Sequence, residues 1–146
     1  MKRFFQVVFL CCLCVMTSPV RAEPFHLMVM GDSLSVGHGL NKKEAFYSRL
    51  EQALAEKYDN IRVLNFSRSG ETAAGGVRKI QQALAQRPDA VLLELGINDA
   101  LRDENITAIQ ENLQKIIDAF REKNIPVMLI GMQVPFVKPA PYAQQF

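Results

Sequence analysis

The stretch FHLMVMGDS, residues 25–33, decides the fold that we expect for the chain. Its first six residues are apolar apart from His26, and a run of this length and composition predicts a buried β-strand. A glycine, an aspartate and a serine follow directly. In parallel α/β sheets, ligands bind outside the carboxyl ends of the strands. The sequence therefore places the hydroxyl group of Ser33 at the carboxyl end of a strand, where ligands bind in such sheets.

Strand-like and helix-like patterns alternate downstream of this stretch. Further apolar runs predict strands at residues 61–66, 90–95 and 126–132. Apolar residues at helical spacing predict helices over 45–57, over 72–86 and from a cap at Asp103 or Asn105 to Phe120. Strands that alternate with helices in this way predict an α/β fold with a parallel sheet and helices on both of its faces.

The first 22 residues have the pattern of a secretory signal peptide. Lys2 and Arg3 precede an apolar stretch at residues 4–16, and Ala22 is a small residue at the cleavage position. The apolar stretch is 13 residues long, whereas a helix that spans a bilayer needs about 20. We therefore expect a cleaved signal and no stable membrane anchor, with a domain over residues 23–146. A buried N-terminal helix is the alternative.

Removal of the signal peptide would change the chemistry available to the chain. All three cysteines lie within it, so cysteine nucleophiles and cysteine-ligated zinc are not expected in the domain. Formal charge falls from +2 to −1, which gives no electrostatic case for binding nucleic acid. The sequence contains neither a G-x-G-x-x-G nor a G-K-[ST] phosphate loop. We expect no metal and no organic cofactor.

Polar clusters follow three of the predicted strands. They comprise residues 31–33 (GDS), 65–70 (NFSRSG) and 96–99 (GIND). The predicted topology would gather them on one rim of the sheet. Together they supply a hydroxyl group, a flexible main-chain N–H and a side-chain amide. These groups suit attack on an acyl carbon whose oxyanion is held by several donors.

The blocks GDSLS, SRSGET and ELGIND resemble the first three conserved blocks of the SGNH, or GDSL, hydrolase family. The nearest branch is that of the small secreted bacterial enzymes, the multifunctional acyl-CoA thioesterase/lysophospholipases and the arylesterases. The resemblance covers residues 25–146. It implies a flavodoxin-like, three-layer α/β/α fold whose last strand and helices this chain does not include, so that the domain is incomplete at its C-terminus.

The resemblance also implies roles for individual residues. Ser33 is similar to the nucleophile of the family, and the main-chain N–H groups of Ser33 and Gly70 with the amide of Asn98 resemble its oxyanion hole. Asp32 and Asp99 match supporting positions. Three simpler readings stay open: Ser33 as a helix cap, Gly70 as a turn glycine, and the Asn98–Asp99 pair as an Asx turn.

A general base for Ser33 is harder to find. The family resembled here supplies it from an Asp-x-x-His block near its C-terminus, and nothing in this chain matches that block. His26 begins the first strand and His38 lacks an evident carboxylate partner, so we assign neither as the base. We expect the block to lie beyond residue 146. Loss of the base from a serine triad costs about 10⁶ in kcat, so this chain is expected to be nearly inert.

The function implied by the resemblance is hydrolysis of an ester or thioester through an acyl-serine, with a small-molecule acyl substrate. The protein is expected to be a monomer in the bacterial periplasm. A carbohydrate O-deacetylase on the same fold and a non-catalytic acyl- or glycan-binding domain are the alternatives.

Residues 133–146 resemble a loop along an acyl groove, or serve as a structural lid. Glu94 lies inside an apolar strand, where an unpaired carboxylate is costly, so it could form hydrogen bonds that support the site; we assign it no catalytic role.

Overall fold

The computed structural model describes residues 23–131, so the predicted signal peptide and the segment 133–146 lie outside the described part of the chain. The strands are β1 (Phe25–Gly31), β2 (Ile61–Asn65), β3 (Ala90–Glu94) and β4 (Val127–Leu129). The helices are α1 (Ser33–Val36), α2 (Phe46–Ala55), α3 (Ala73–Arg78), α4 (Ile80–Ala85), α5 (Ile97–Leu101) and α6 (Ile106–Arg121), with a 3₁₀ turn at Lys42–Glu44.

The four strands form one parallel sheet in the order β2-β1-β3-β4. In this register Met28 of β1 lies beside Leu64 of β2 and Val91 of β3. Because β1 is central, the polar residues that follow it lie between those that follow β2 and β3. The predicted parallel α/β fold is confirmed.

One face of the sheet carries the hydrophobic core. Successive residues of a strand point to opposite faces, and the buried side chains of this face alternate along β1 and β3. The members are Met28, Met30, Val91 and Leu93, continued by Leu95 after β3. Helix α6 covers them with a buried stripe at Ile109, Leu113, Ile116 and Phe120. The helical stripe predicted from the sequence therefore builds the core.

The opposite face is covered by α1 and α2, which lie over β1 and β2. Val29 is fully buried there, and Glu94 belongs to the same face because it alternates with Leu93. Coverage decreases towards β4, where the side chain of Met128 is 65% exposed. The two faces thus differ in how completely they are packed.

The predicted helix over residues 72–86 is in fact two helices. Lys79 has φ −106° and ψ 2°, which ends α3 before α4 begins. Residues Gly75 and Gly76 weaken helix propensity in α3. A Cβ at Gly76 would lie 2.8 Å from both Ile116 and Leu95, so glycine allows α3 to approach α6 and the sheet. Packing against α6 and the sheet, rather than intrinsic helix propensity, therefore stabilises α3.

The start of α6 resolves one open choice in the sequence. The side chain of Asn105 accepts hydrogen bonds from the N–H groups of Thr107 at 2.9 Å and Ala108 at 3.3 Å, so Asn105 is the cap. Asp103 instead has a left-handed φ of 54° in the preceding turn. Among the helices of residues 23–131, none combines the length and the apolar character needed to cross a bilayer.

Candidate active site

Strand β1 brings Ser33 to the rim of the sheet. Gly31 ends the strand and Asp32 caps α1, since its Oδ1 accepts a hydrogen bond from the N–H of Leu34 at 2.9 Å. Ser33 is the first residue of that helix and is partly exposed, whereas Asp32 is fully buried. The predicted nucleophile is therefore accessible on a turn whose neighbouring residue is fixed inside the protein.

The loop after β2 presents Gly70 beside this rim. Gly70 has a φ of 76°, which glycine adopts without the strain that a side chain would cause. Its carbonyl oxygen accepts a hydrogen bond from Nη2 of Arg102 at 3.0 Å. Within residues 23–131, neither the N–H of Gly70 nor that of Ser33 donates to a protein acceptor. Two predicted oxyanion donors thus have no hydrogen-bond acceptor within the described part of the chain.

Asn98 connects the three polar clusters. Its Nδ2 donates to Oδ2 of Asp32 and to the carbonyl oxygen of Glu71, both at 2.9 Å. Asp32 precedes Ser33 and Glu71 follows Gly70, so this one amide draws the three loops together. An amide nitrogen carries two hydrogens, and both are committed here. An oxyanion would have to share one of them or replace a present acceptor.

Asp99 ties α5 to α3. Its carboxylate is buried and accepts from the N–H of Ala73, with Oδ2 at 2.9 Å and Oδ1 at 3.2 Å. Residues 97–101 form a single helical turn rather than the Asx turn that the sequence left open. Gly96 precedes this turn with a φ of 123°. Asn98 therefore projects from a short helix whose position is fixed through Asp99.

Three carboxyl groups lie buried close to the candidate site. Burial raises the pKa of each group above its ordinary value, because the charged form is poorly solvated; the groups are Asp32, Glu94 and Asp99. Hydrogen bonds from neighbouring donors oppose the shift, and the charge of Asp99 adds to it at Asp32. The site therefore combines buried acids with a partly exposed serine.

A cavity of about 200 Å³ adjoins the turn that carries Ser33. It is lined by Leu34, Ser35, Phe46, Glu94 and Ile130. Most of this lining is apolar, and Leu34 is the neighbour of Ser33. A larger hollow of about 720 Å³ lies at the amino ends of the strands, around Phe25 and Asp89, and contains none of the predicted site residues.

Sequence reasoning missed two contacts of the site. It gave no role to Ser35, although this serine stands in the quoted block GDSLS; its hydroxyl donates to Oε2 of Glu94 at 2.5 Å. It also overlooked Arg102, whose contact with Gly70 spans 32 positions of the chain. The signal for Ser35 was its spacing, two residues after Ser33 on a tight turn. Nothing in the sequence pointed to Arg102.

The two histidines lie apart in the described structure. His26 lies at the start of β1, where its main-chain N–H donates to Oδ2 of Asp89 at 2.7 Å. His38 is exposed after α1, and its main-chain N–H donates to the carbonyl oxygen of Ser33 at 3.0 Å. Neither imidazole hydrogen-bonds the Ser33 hydroxyl. From residue 23 to residue 131, no group of three or more His, Cys, Asp or Glu side chains could hold a metal ion.

Comparison with known families identifies this arrangement. The model of the GDSL-like lipase/acylhydrolase family matches residues 29–146. The chain belongs to this family. The polar rim built around Ser33 is therefore the rim of a GDSL-like fold, and the resemblance stated from the three sequence blocks is confirmed.

Similar proteins carry esterase names. The chain is 35% identical over 125 residues to the esterase TesA of Pseudomonas aeruginosa, covering 85% of this chain and 62% of TesA. It is 38% identical to an arylesterase of Vibrio mimicus (75% and 55% covered). It is 31% identical to thioesterase 1/protease 1/lysophospholipase L1 of Escherichia coli K12 (75% and 51% covered). The chain thus spans 51–62% of the length of these curated relatives.

A solved structure supports the same fold. The crystal structure of TesA superposes with a TM-score of 0.77 at 35% identity, covering 82% of this chain and 67% of TesA. The similarity extends over most of the described sheet and helices. The GDSL-like α/β architecture predicted for the chain is therefore confirmed by an experimental relative.

Proposed function

We propose that this site hydrolyses carboxylic esters or thioesters by transferring the acyl group to Ser33. The observation that carries the proposal is the pair of hydrogen bonds from Nδ2 of Asn98 to Asp32 and Glu71, which brings the three polar loops to one point beside Ser33. Similarity to proteins named esterase, arylesterase and thioesterase/lysophospholipase supports the substrate class. Acyl-CoA, lysophospholipid and aryl esters are the substrates that we propose.

The reaction follows from the groups present. The Ser33 oxygen attacks the carbonyl carbon while its proton passes to a base. The oxyanion accepts from the N–H groups of Ser33 and Gly70, with the amide of Asn98 as a third donor once it shares a hydrogen. The alcohol or thiol leaves with the proton. Water then attacks the acyl-serine, releasing the acid and restoring the Ser33 hydroxyl. The apolar cavity beside Leu34 is proposed to take the acyl group.

We propose that neither histidine of the described chain is the base. His26 lies at the start of β1, at the end of the strand opposite to Ser33, and His38 is exposed without a carboxylate that orients its ring. A serine site with an oxyanion hole but without its base keeps about 10³–10⁴ in rate over water. The 146-residue chain is accordingly expected to turn over slowly.

Labelling of Ser33 tests the proposal without relying on turnover. The chain would be treated with a fluorophosphonate, and the modified peptide identified by mass spectrometry. We expect the label on Ser33, no label in Ser33→Ala, and an unchanged rate in the control Ser48→Ala, whose serine lies in α2. Added imidazole should accelerate labelling because it replaces the base. Labelling that persists in Ser33→Ala would refute the assignment.

A panel of p-nitrophenyl esters defines the substrate class. We expect hydrolysis of longer acyl chains to exceed that of acetate, because the cavity beside Leu34 is apolar. A strict preference for acetate would instead favour a deacetylase. Substitution His38→Ala should leave the rates unchanged, whereas a loss of about 10⁴ or more would make His38 the base after all.

The location of the protein and its oligomeric state are further proposals. The pattern of residues 1–22 supports export to the periplasm with cleavage after Ala22. N-terminal sequencing of the protein from a periplasmic fraction should begin at Glu23. We also propose a monomer, and light scattering of the purified chain would test it.

A further inference from the structure

A buried carboxyl group lies beneath the turn that carries Ser33. Glu94 ends β3 and is 5% exposed. Its Oε2 accepts from the Ser35 hydroxyl at 2.5 Å and from the main-chain N–H of Asp32 at 3.3 Å. The two donors flank Ser33, one on each side. A single oxygen of Glu94 therefore holds the residue before Ser33 and the residue two positions after it.

The glycine that ends β1 makes this contact possible. A Cβ at Gly31 would lie 2.5 Å from Oγ of Ser35 and 2.6 Å from Oε2 of Glu94. Real Cβ atoms do not approach other atoms so closely, so any side chain at residue 31 would displace the Glu94–Ser35 pair. The glycine of GDSLS thus leaves room for the hydrogen-bonded pair that the second serine of the block forms with Glu94.

The turn needs such support because it is short. Helix α1 has four residues, and one helical turn is not stable by itself. Its position therefore depends on contacts with the rest of the protein. Asp32 supplies one through Asn98, on the side of the oxyanion groups. Glu94 supplies two more from below, in the sheet.

We propose that Glu94 is a positioning residue that sets the orientation of Ser33 through Ser35 and the main chain of Asp32. The inference rests on the proposed role of Ser33 as the nucleophile. The other carboxyl oxygen, Oε1, is buried and has no hydrogen-bond partner among residues 23–131, a cost that an apolar residue of the same size would avoid. The two hydrogen bonds that Oε2 accepts account for the presence of an acid at residue 94.

Three variants separate positioning from packing. Glu94→Gln keeps an accepting oxygen, Glu94→Leu keeps the volume but removes it, and Ser35→Ala removes one donor. Asp89→Leu is the matched control, because Asp89 accepts a hydrogen bond from the main-chain N–H of His26 at the other end of β1. Each variant would be compared with the 146-residue wild type by thermal unfolding before any rate is measured.

Two measurements then test the inference. The rate at which a fluorophosphonate labels Ser33 should fall about 10- to 100-fold in Glu94→Leu, and by less than about 3-fold in Glu94→Gln and Asp89→Leu. For a p-nitrophenyl ester, kcat should fall in Glu94→Leu while KM stays within about 3-fold. Amide hydrogen exchange at Asp32 should accelerate by about 10-fold or more in Glu94→Leu, with exchange at Val29 unchanged.

The outcomes distinguish this inference from the proposed function. A folded Glu94→Leu with wild-type labelling and wild-type exchange at Asp32 would overturn the role of Glu94. If Glu94→Leu does not fold, Ser35→Ala decides the matter, with slower labelling and faster exchange at Asp32 expected and unchanged values refuting it. If the wild type is not labelled at Ser33, the proposed function fails, and exchange at Asp32 still shows whether Glu94 holds the turn.

Discussion

The two faces of the sheet are built for different purposes. The face beneath α6 is lined by fully or almost fully buried apolar side chains from β1 and β3 and covered by Phe120 and its neighbours. The opposite face carries a buried acid, Glu94, a cavity and the exposed Met128. One face supplies the free energy of folding through apolar burial. The other gives up part of that burial to place polar groups beneath Ser33.

Replacement of the largest fully buried side chain among residues 23–131 should lower the stability of the fold most. Phe120 is fully buried in α6, and Phe120→Ala is expected to lower the free energy of unfolding by about 3–5 kcal/mol. Phe25→Ala is the control, because Phe25 is 45% exposed at the start of β1. Urea denaturation followed by circular dichroism measures both. Equal losses in the two variants would contradict the assignment of the core to the α6 face.

The stability of the face that carries Glu94, here called the site face, should be sensitive to one added methyl group. Gly31→Ala forces Ser35 and Glu94 apart, and we expect a loss of about 1–3 kcal/mol in the free energy of unfolding. Labelling of Ser33 should also slow. Gly131→Ala is the matched control, because a Cβ there meets no atom of the described residues within 4 Å. A Gly31→Ala protein as stable as wild type would show that the cluster can rearrange freely.

The pH dependence of stability should report the buried acid. Burial raises the pKa of Glu94 above its ordinary value of 4.5, so the folded protein keeps this proton to a higher pH than the unfolded chain does. The contribution of Glu94 to the free energy of unfolding therefore falls as pH rises from 4.5 through the raised pKa. Glutamine does not titrate, so Glu94→Gln should gain stability relative to wild type over this window.

Urea denaturation at a series of pH values between about 4 and 8 would measure this difference. Glu122→Gln, at the exposed end of α6, controls for the loss of one negative charge. A difference between Glu94→Gln and wild type that stays constant with pH would contradict the raised pKa.

The smallest effect is expected where the site face is least covered. Met128 is 65% exposed on β4, and Met128→Thr should change the free energy of unfolding by no more than about 0.5 kcal/mol. The same substitution at Met30, 2% exposed on the α6 face, should cost several times more, about 2–5 kcal/mol. Similar losses at the two positions would remove the contrast between the faces.

Much of the architecture could be predicted because local pattern and tertiary environment agree. The run before Gly31 predicts β1, and the stripe from Ile109 to Phe120 predicts α6, since apolar periodicity reflects the face that is buried. The same reasoning failed for residues 72–86, where two glycines and the conformation of Lys79 divide one expected helix. It also missed α5, which is too short to carry a period.

The residue types of the candidate site could be predicted from the sequence, but the hydrogen bonds that join its loops could not. Residue types and order pointed to Ser33, Gly70 and Asn98, and the structure brings their three loops together. Their roles in catalysis stay predictions that the labelling experiments test. The commitment of both amide hydrogens of Asn98 could not be read from the sequence, because it depends on where Asp32 and Glu71 lie in space.

The sequence by itself determined the parallel α/β fold, the core helix α6 and the residues that gather at the rim. Each of these follows from local apolar periodicity or from a short motif. Only the tertiary structure decided that Glu94 reaches Ser35 and the main chain of Asp32, and that Asn98 joins two loops. The contacts of Glu94 and the one between Asn98 and Asp32 join residues about 60 positions apart, and the one between Asn98 and Glu71 joins residues 27 positions apart. Hydrogen bonds depend on distances of tenths of an ångström, which the packing of helices on the sheet sets and local sequence does not.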